Sequence, residues 1–215
     1  MERTTMPVNV KEREYRMIRV EALEVREAQD GKKTVEGYAT TFDQEYKLWG
    51  DASYQVLESV DRHAFDKADM SDVIMQYDHE GRVFARISNG TLELKTDDHG
   101  LKMIADLGGT EIGRQLYEEI KGGYTTKMSF GFRVRKSERT VEEDEELGSI
   151  TVHRKITEIE KLYDVSAVSL PANDATEISA RNLCDGLIAE VKEERLADEA
   201  RKRTKNQIAI MADMI

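Results

Sequence analysis

Ser129 stands in an apolar, aromatic run, Thr126-Lys127-Met128-Ser129-Phe130-Gly131-Phe132. The run follows the turn signal Gly122-Gly123-Tyr124 and continues into Arg133-Val134-Arg135, so 126–135 reads as a strand. Side chains alternate across a strand, which puts Ser129 on a face with Lys127 and Arg133, opposite Met128, Phe130 and Phe132. A serine hydroxyl is a weak nucleophile until a base lies within hydrogen-bond reach. An imidazole titrating near neutrality suits that task, and a third group must fix its tautomer. His79 ends an apolar strand-like stretch, Asp72 to Gly81, where a side chain can project into a cleft. His99, in the turn Asp98-His99-Gly100, and His63, on an expected surface helix, read as solvent-facing, whereas His153 lies in a strand and stays a candidate. A small polar residue tucked into a sheet is the commoner fate of such a serine. These residues therefore leave a Ser/His/acid centre open as one alternative. The chain order His, Ser, acid differs from the common hydrolase orders, and no GxSxG elbow occurs.

Other chemistries find less support. The four histidines are scattered, Cys184 is the single cysteine, and neither HExxH nor CxxC is present, so no metal site is expected. No GxxxxGK[ST] or GxGxxG phosphate cradle occurs, and no cofactor is expected. A net charge of −11, with 35% of residues charged, speaks against nucleic acid as a partner, because the chain would repel the phosphate backbone. No apolar run approaches the roughly 20 residues of a membrane span, and the start lacks an apolar signal core. One cysteine excludes an internal disulfide framework and favours a reducing cytoplasm.

The elements that must position these residues are mostly strands. Residues 1–13 read as a loose polar arm. Residues 15–26 carry strand signals, a turn follows at 30–33, and 34–42 returns as the second strand of a hairpin. A loop with the only tryptophan, Trp49, is expected over 43–55, then the short strand 56–60 and a short helix over 61–68. Residues 83–87 and 91–96 look like a hairpin across Ser88-Asn89-Gly90, and 101–107 is a further strand. Ile112, Leu116 and Ile120 recur at helical spacing over 110–121, with Gly122 as the expected cap. The acidic stretch 138–148 reads as a solvated hairpin loop before two more strand pieces, 150–153 and 162–170. From about 176 a helix begins amphipathic, with Leu183, Leu187 and Val191, and continues as charge and alanine over 192–205. That helix reads equally as a detachable tail or as packed on the body through Leu183 and Leu187.

Taken together, residues 15–181 resemble the prohead maturation proteases of tailed bacteriophages, the caudovirus prohead serine protease family, which is related to the herpesvirus assemblins. Glu36-Gly37-Tyr38-Ala39 is similar to the family's opening hairpin, and His63-Ala64-Phe65-Asp66 to its GAF segment, with His63 where glycine is usual. Tyr77-Asp78-His79-Glu80 with Gly81-Arg82 resembles the histidine motif, and Gly122 through Met128-Ser129-Phe130-Gly131-Phe132 the serine motif. Leu162 to Asn173 resembles the strand EVSLVTFPAN, with Asp164 where glutamate is frequent.

The resemblance implies a mainly β fold with peripheral helices, an antiparallel β-barrel of assemblin type, and a C-terminal helical tail. It implies His79 as general base, Ser129 as nucleophile and Asp164 as third member, with Glu160 and His153 in reserve. Oxyanion donors would follow the Pro171-Ala172-Asn173 turn. The implied organisation is a flexible arm over 1–13, a protease domain over 14–181 and a charged helical tail over 182–215. The implied activity is that of a serine endopeptidase cleaving the scaffolding segment of the phage major capsid protein, and itself, during procapsid maturation. It would work without a cofactor, inside the assembling procapsid in the host bacterial cytoplasm. Its partners would be the capsid protein and further copies of itself, with no nucleic acid and no membrane. The alternatives are a non-catalytic scaffold that keeps the protease fold, and a hydrolase of small esters.

Overall fold

A computed structural model describes residues 13–18, 23–27, 32–144, 146–168 and 174–212. Most of the expected N-terminal arm and the 169–173 turn, with the oxyanion donors expected after it, lie outside these residues. The first strands are β1 (Glu14–Ile18), β2 (Glu24–Glu27), β3 (Lys33–Thr41), β4 (Tyr46–Gly50) and β5 (Tyr54–Val60). Then come β6 (Ile74–Tyr77), β7 (Glu80–Arg86), β8 (Leu92–Thr96), β9 (Gly100–Asp106) and the helix α1 (Glu111–Lys121). The long strands β10 (Lys127–Asp144) and β11 (Ser149–Val168) and the helix α2 (Asp174–Ala212) complete the chain.

Two sheets face each other. The larger runs β1-β10-β11-β5-β4, with β6 pairing β11 beyond the end of β5 and β7 pairing β6. The smaller runs β2-β3-β9-β8. Val35 and Met103 from the small sheet share one core cluster with Phe130, Phe132 and Val165 from the large one, and Leu116 and Tyr117 of α1 join it. The fold is mainly β, as expected, but among the described residues the sheets do not close into a barrel. Nor is pairing uniformly antiparallel: β11 runs parallel to both β5 and β6. A 20-residue strand is long enough to serve both in succession along one edge.

Several local expectations change. The 15–26 stretch divides between sheets, β1 pairing β10 and β2 pairing β3. Residues 46–50 around Trp49 form a strand on β5 rather than a loop. Residues 62–67 make successive turns, with Ala64, Asp66 and Ala68 N–H groups bonded three residues back, and no helix forms. The expected 83–96 hairpin is a crossing between sheets: β7 pairs β6 while β8 pairs β9. The acidic 138–144 segment stays in the ladder because Ser137 and Arg139 turn inward and the acids outward, and only 146–148 makes the described part of the turn. The two strand pieces after it are one continuous strand. In α1 the Thr110 hydroxyl accepts from Gly113 N–H at 3.0 Å. Gly122 is its C-cap, as expected, with helical φ and its N–H bonded to the Glu118 carbonyl at 2.8 Å, and Gly123 after it takes the left-handed φ of +75°. In α2, Cys184, Leu187 and Val191 bury against Val56, Ile150 and Val152, whereas 192–208 is exposed throughout.

Alternation in β1 decides what the site receives. Glu14 lies opposite Phe132 and Arg16 opposite Phe130, while Tyr15 lies opposite Gly131 and Met17 opposite Ser129. Paired residues share a face, so even-numbered β1 side chains enter the core side and odd-numbered ones stand over Ser129.

Candidate active site

Ser129 and Asp164 stand on adjacent strands of one ladder. Gly131 pairs with Asp164, and Ser129 with Ser166, so all four share a face. His79 arrives from a separate hairpin. Asp78 and His79 form the two-residue connection between β6 and β7, and both have positive φ, 49° and 62°. Such tight hairpins need left-handed residues, and Asp and His tolerate that conformation better than most non-glycine residues. Asp78 N–H bonds the Ala167 carbonyl at 3.0 Å, which fixes the hairpin tip to β11 beside Asp164.

The imidazole bridges the other two residues. Its Nδ1 lies 2.5 Å from Asp164 Oδ2 and its Nε2 2.5 Å from Ser129 Oγ. With the proton on Nδ1, Nδ1–H donates to the carboxylate and Nε2 is free to accept from the serine hydroxyl. Ser129 Oγ also lies 3.0 Å from the Arg16 carbonyl, and a hydroxyl carries one hydrogen, so the two acceptors compete for it. The group is almost dry: Ser129 is 1% exposed, and the His79 and Asp164 side chains 6% and 0%. Low local dielectric strengthens each of these bonds. Geometrically this is a base aligned on a hydroxyl and oriented by a carboxylate, the arrangement needed to attack a carbonyl.

Four further residues complete the surroundings, and the sequence reading did not single them out. Arg13 donates from Nη2 to Asp164 Oδ1, and the Ser166 hydroxyl donates to Asp164 Oδ2 at 2.7 Å. The Tyr15 ring sits 4.6 Å from the imidazole, centroid to centroid. Gly131 is small of necessity: a Cβ there would fall 2.3 Å from Asp164 Oδ1 and 2.9 Å from Arg13 Nη2. Arg13 and Tyr15 carried no signal because nothing in the polar start of the chain announces where it docks. The Gly131 signal was available in Phe130-Gly131-Phe132, since glycine weakens a strand interior and marks close approach. Burial alone would push the Asp164 carboxyl up. The His79 bond and charge, the Ser166 hydroxyl and the Arg13 charge outweigh it and hold it below the usual carboxylate range.

The remaining candidates lie elsewhere. His153 contacts Glu45 at 2.8 Å and Glu142 at 3.4 Å, and Glu160 pairs with Arg133 at 2.8 Å. His63 pairs with Asp66, and His99 packs against Tyr38. No group of three or more metal-binding side chains occurs among the described residues, and no helix there is long and apolar enough to cross a membrane.

The family model for the caudovirus prohead serine proteases matches residues 21–187. The chain belongs to that family. No curated protein matches it, and no solved structure does. The match to the prohead protease family includes His79, Ser129 and Asp164 and stops short of β1, so Arg13, Tyr15 and the Arg16 carbonyl reach the site from outside the matched segment. Membership supports a role in phage capsid maturation inside the assembling procapsid.

Behind the site, on the opposite face of β1, lies a second charged group. Arg154 binds Glu14 at 2.9 and 3.0 Å and also binds Glu58. Arg16 Nε binds Glu58 at 2.5 Å and Nη2 binds Glu14, while the Tyr46 hydroxyl donates to Glu58 at 2.5 Å. All four charged side chains are 3% exposed or less. Burial would raise the Glu58 carboxyl, but Arg16 and Arg154 bring it down to about 2. This network ties β1 to β5 and β11, and so holds in place the strand that carries Arg13 and Tyr15.

Proposed function

We propose that this chain is a serine endopeptidase with His79, Ser129 and Asp164 as its catalytic triad. One observation carries the proposal: a single imidazole is hydrogen-bonded at one nitrogen to a buried carboxylate and at the other to a strand serine. In the first step Ser129 Oγ attacks the scissile carbonyl and His79 Nε2 takes the hydroxyl proton. Asp164 steadies the imidazolium through Nδ1–H. The imidazolium then protonates the leaving amine, the C–N bond breaks, and an acyl-Ser129 ester remains. In the second step water loses a proton to His79 as it attacks that ester, and Ser129 regains its hydrogen.

The substrate we assign is the scaffolding segment of the phage major capsid protein, with self-cleavage accompanying it. Family membership supports this class of substrate. So does an open groove of about 380 Å³ next to the His79 hairpin, bounded by Tyr77, Glu80 and Phe84 on one side and Ile112, Gln115 and Glu119 of α1 on the other. An extended peptide needs such a groove, whereas a small ester needs a closed apolar pocket. We assign 14–181 as the working unit, with Arg13 directly before it completing the surroundings of Asp164, and 182–215 as a docking tail removed by self-cleavage. The exposed charged half of α2 supports this assignment, while burial of Leu187 and Val191 ties the first turns to the body.

The test is co-expression with the capsid protein of the same phage, wild type beside Ser129→Ala, read by intact mass. The reading expects the wild type to trim the capsid protein and its own C-terminal region and the variant to do neither. Equal behaviour of the two would favour the non-catalytic scaffold. An intact C-terminus on active enzyme would remove the tail assignment alone.

A further inference from the structure

Asp164 is fully buried and carries four hydrogen-bonding lone pairs that water cannot reach. Its Oδ2 is taken by His79 Nδ1 and the Ser166 hydroxyl. Among the described residues, the side chain that bonds Oδ1 is Arg13, reaching across 151 residues of sequence. The guanidinium is itself held between two rings, 4.9 Å from the Tyr15 centroid and 4.7 Å from that of Tyr163. Planar guanidinium suits such a slot, because it stacks on rings while its N–H groups point sideways. Space for it exists only because position 131 is glycine. Its strand is anchored by Glu14 and Arg16 on the other face.

We propose that Arg13, which lies outside the family-matched segment, is a positioning residue for this active site: it clamps Asp164 Oδ1 so that Oδ2 faces His79. This rests on the endopeptidase reading above. Without the clamp the carboxylate can turn about its Cβ–Cγ bond and leave Nδ1–H without an aligned acceptor. A misplacement of about 1 Å in such an array costs on the order of 10²-fold in rate.

The experiment uses full-length protein and a peptide spanning the cleavage site mapped by the co-expression test. Steady-state kinetics are recorded from pH 5 to 9 for wild type, Arg13→Gln, Arg13→Lys and Ser129→Ala. Arg13→Gln is expected to lose about 10- to 100-fold in kcat with KM within about twofold. Arg13→Lys, which keeps the charge but not the fork, should restore part of the rate. Wild-type kinetics in Arg13→Gln would overturn the proposal, and so would a loss confined to KM, which would make Arg13 a substrate contact. Equal loss in both Arg13 variants would reduce Arg13 to a structural residue. Wild type indistinguishable from Ser129→Ala would overturn the endopeptidase reading, and the Arg13 role with it.

Discussion

The two faces of β1 carry charge to different ends. On the inner face Glu14 and Arg16 join Glu58, Arg154 and Tyr46 in a closed set where each acid meets both arginines. Only Arg154 Nε in that set lacks a partner among the described residues. On the outer face Arg13 and Tyr15 meet Asp164, His79 and Ser129 in a row that ends in the hydroxyl of the proposed nucleophile. The inner group is wholly buried, whereas in the outer one Ser129, His79 and Asp164 are buried and the Arg13 side chain is 36% exposed; both contain opposed charges. What separates them is symmetry of satisfaction. The inner group is balanced and has no proton to move, so it serves to register four strands, β1, β4, β5 and β11. The outer group keeps one imidazole between a fixed acceptor and a movable proton. Buried ion pairs are weak evidence for net stability but strong determinants of arrangement, and here the arrangement they fix is the one that delivers Arg13.

The difference can be broken at several points. The largest effect is expected from Ser129→Ala, which should lower kcat by about 10⁶-fold and leave the melting temperature nearly unchanged. Arg154→Met should do the reverse. It leaves Glu14 and Glu58 short of a cation in a dry interior, which costs about 3–5 kcal/mol in urea unfolding. Because the same network holds the strand next to Arg13, kcat in the surviving folded fraction should fall by no more than the roughly 10- to 100-fold expected of losing Arg13 itself.

Gly131→Ala tests the crowding between strands. Its Cβ meets Asp164 Oδ1 and Arg13, so activity should fall about 10²-fold while stability falls by about 1–3 kcal/mol. Acid should act on the inner group through Glu58. Its carboxyl is depressed to about 2 in the folded chain against about 4.3 unfolded, so its contribution of about 3 kcal/mol is present above pH 4.3 and lost as pH falls towards 2. Glu58→Gln should flatten that part of the stability profile in acid titrations followed by circular dichroism. The smallest effect is expected from truncation after Arg195. The charged remainder of α2 is exposed, so melting should shift by less than about 1 kcal/mol equivalent, whereas Leu187→Ala should cost about 2–5 kcal/mol.

The core of the site was legible because its parts announce themselves locally. Ser129 lies in an apolar run, His79 at the polar end of a strand, and Asp164 in a strand that resembles a known motif. The surroundings were not legible because they depend on pairing over long separations. Arg13 and Asp164 are neighbours only because β1 adds to β10, and no local pattern in a polar N-terminal stretch records that. Glu14, Arg16, Glu58 and Arg154 look like ordinary surface charges until alternation and register turn them inward together. The acidic segment at 138–144 misled for the same reason. Its charge suggested a loop, yet Arg139 and Val141 are turned to the body while Glu142, Glu143 and Asp144 stay exposed, and Arg139 meets Glu190 and Glu194 on α2. Closure into a barrel was likewise an inference from resemblance, and the two open sheets with their parallel ladders to β11 depart from it.

The most direct test of the account is to trap the acyl-enzyme. Wild type and His79→Ala are mixed with the mapped substrate peptide, quenched in acid within the first turnover, digested, and analysed by mass spectrometry. The account predicts that the wild-type fragment containing Ser129 gains the mass of the substrate's acyl half and that the His79→Ala fragment does not. Cleavage with no adduct, or an adduct on Ser166 instead, would contradict it.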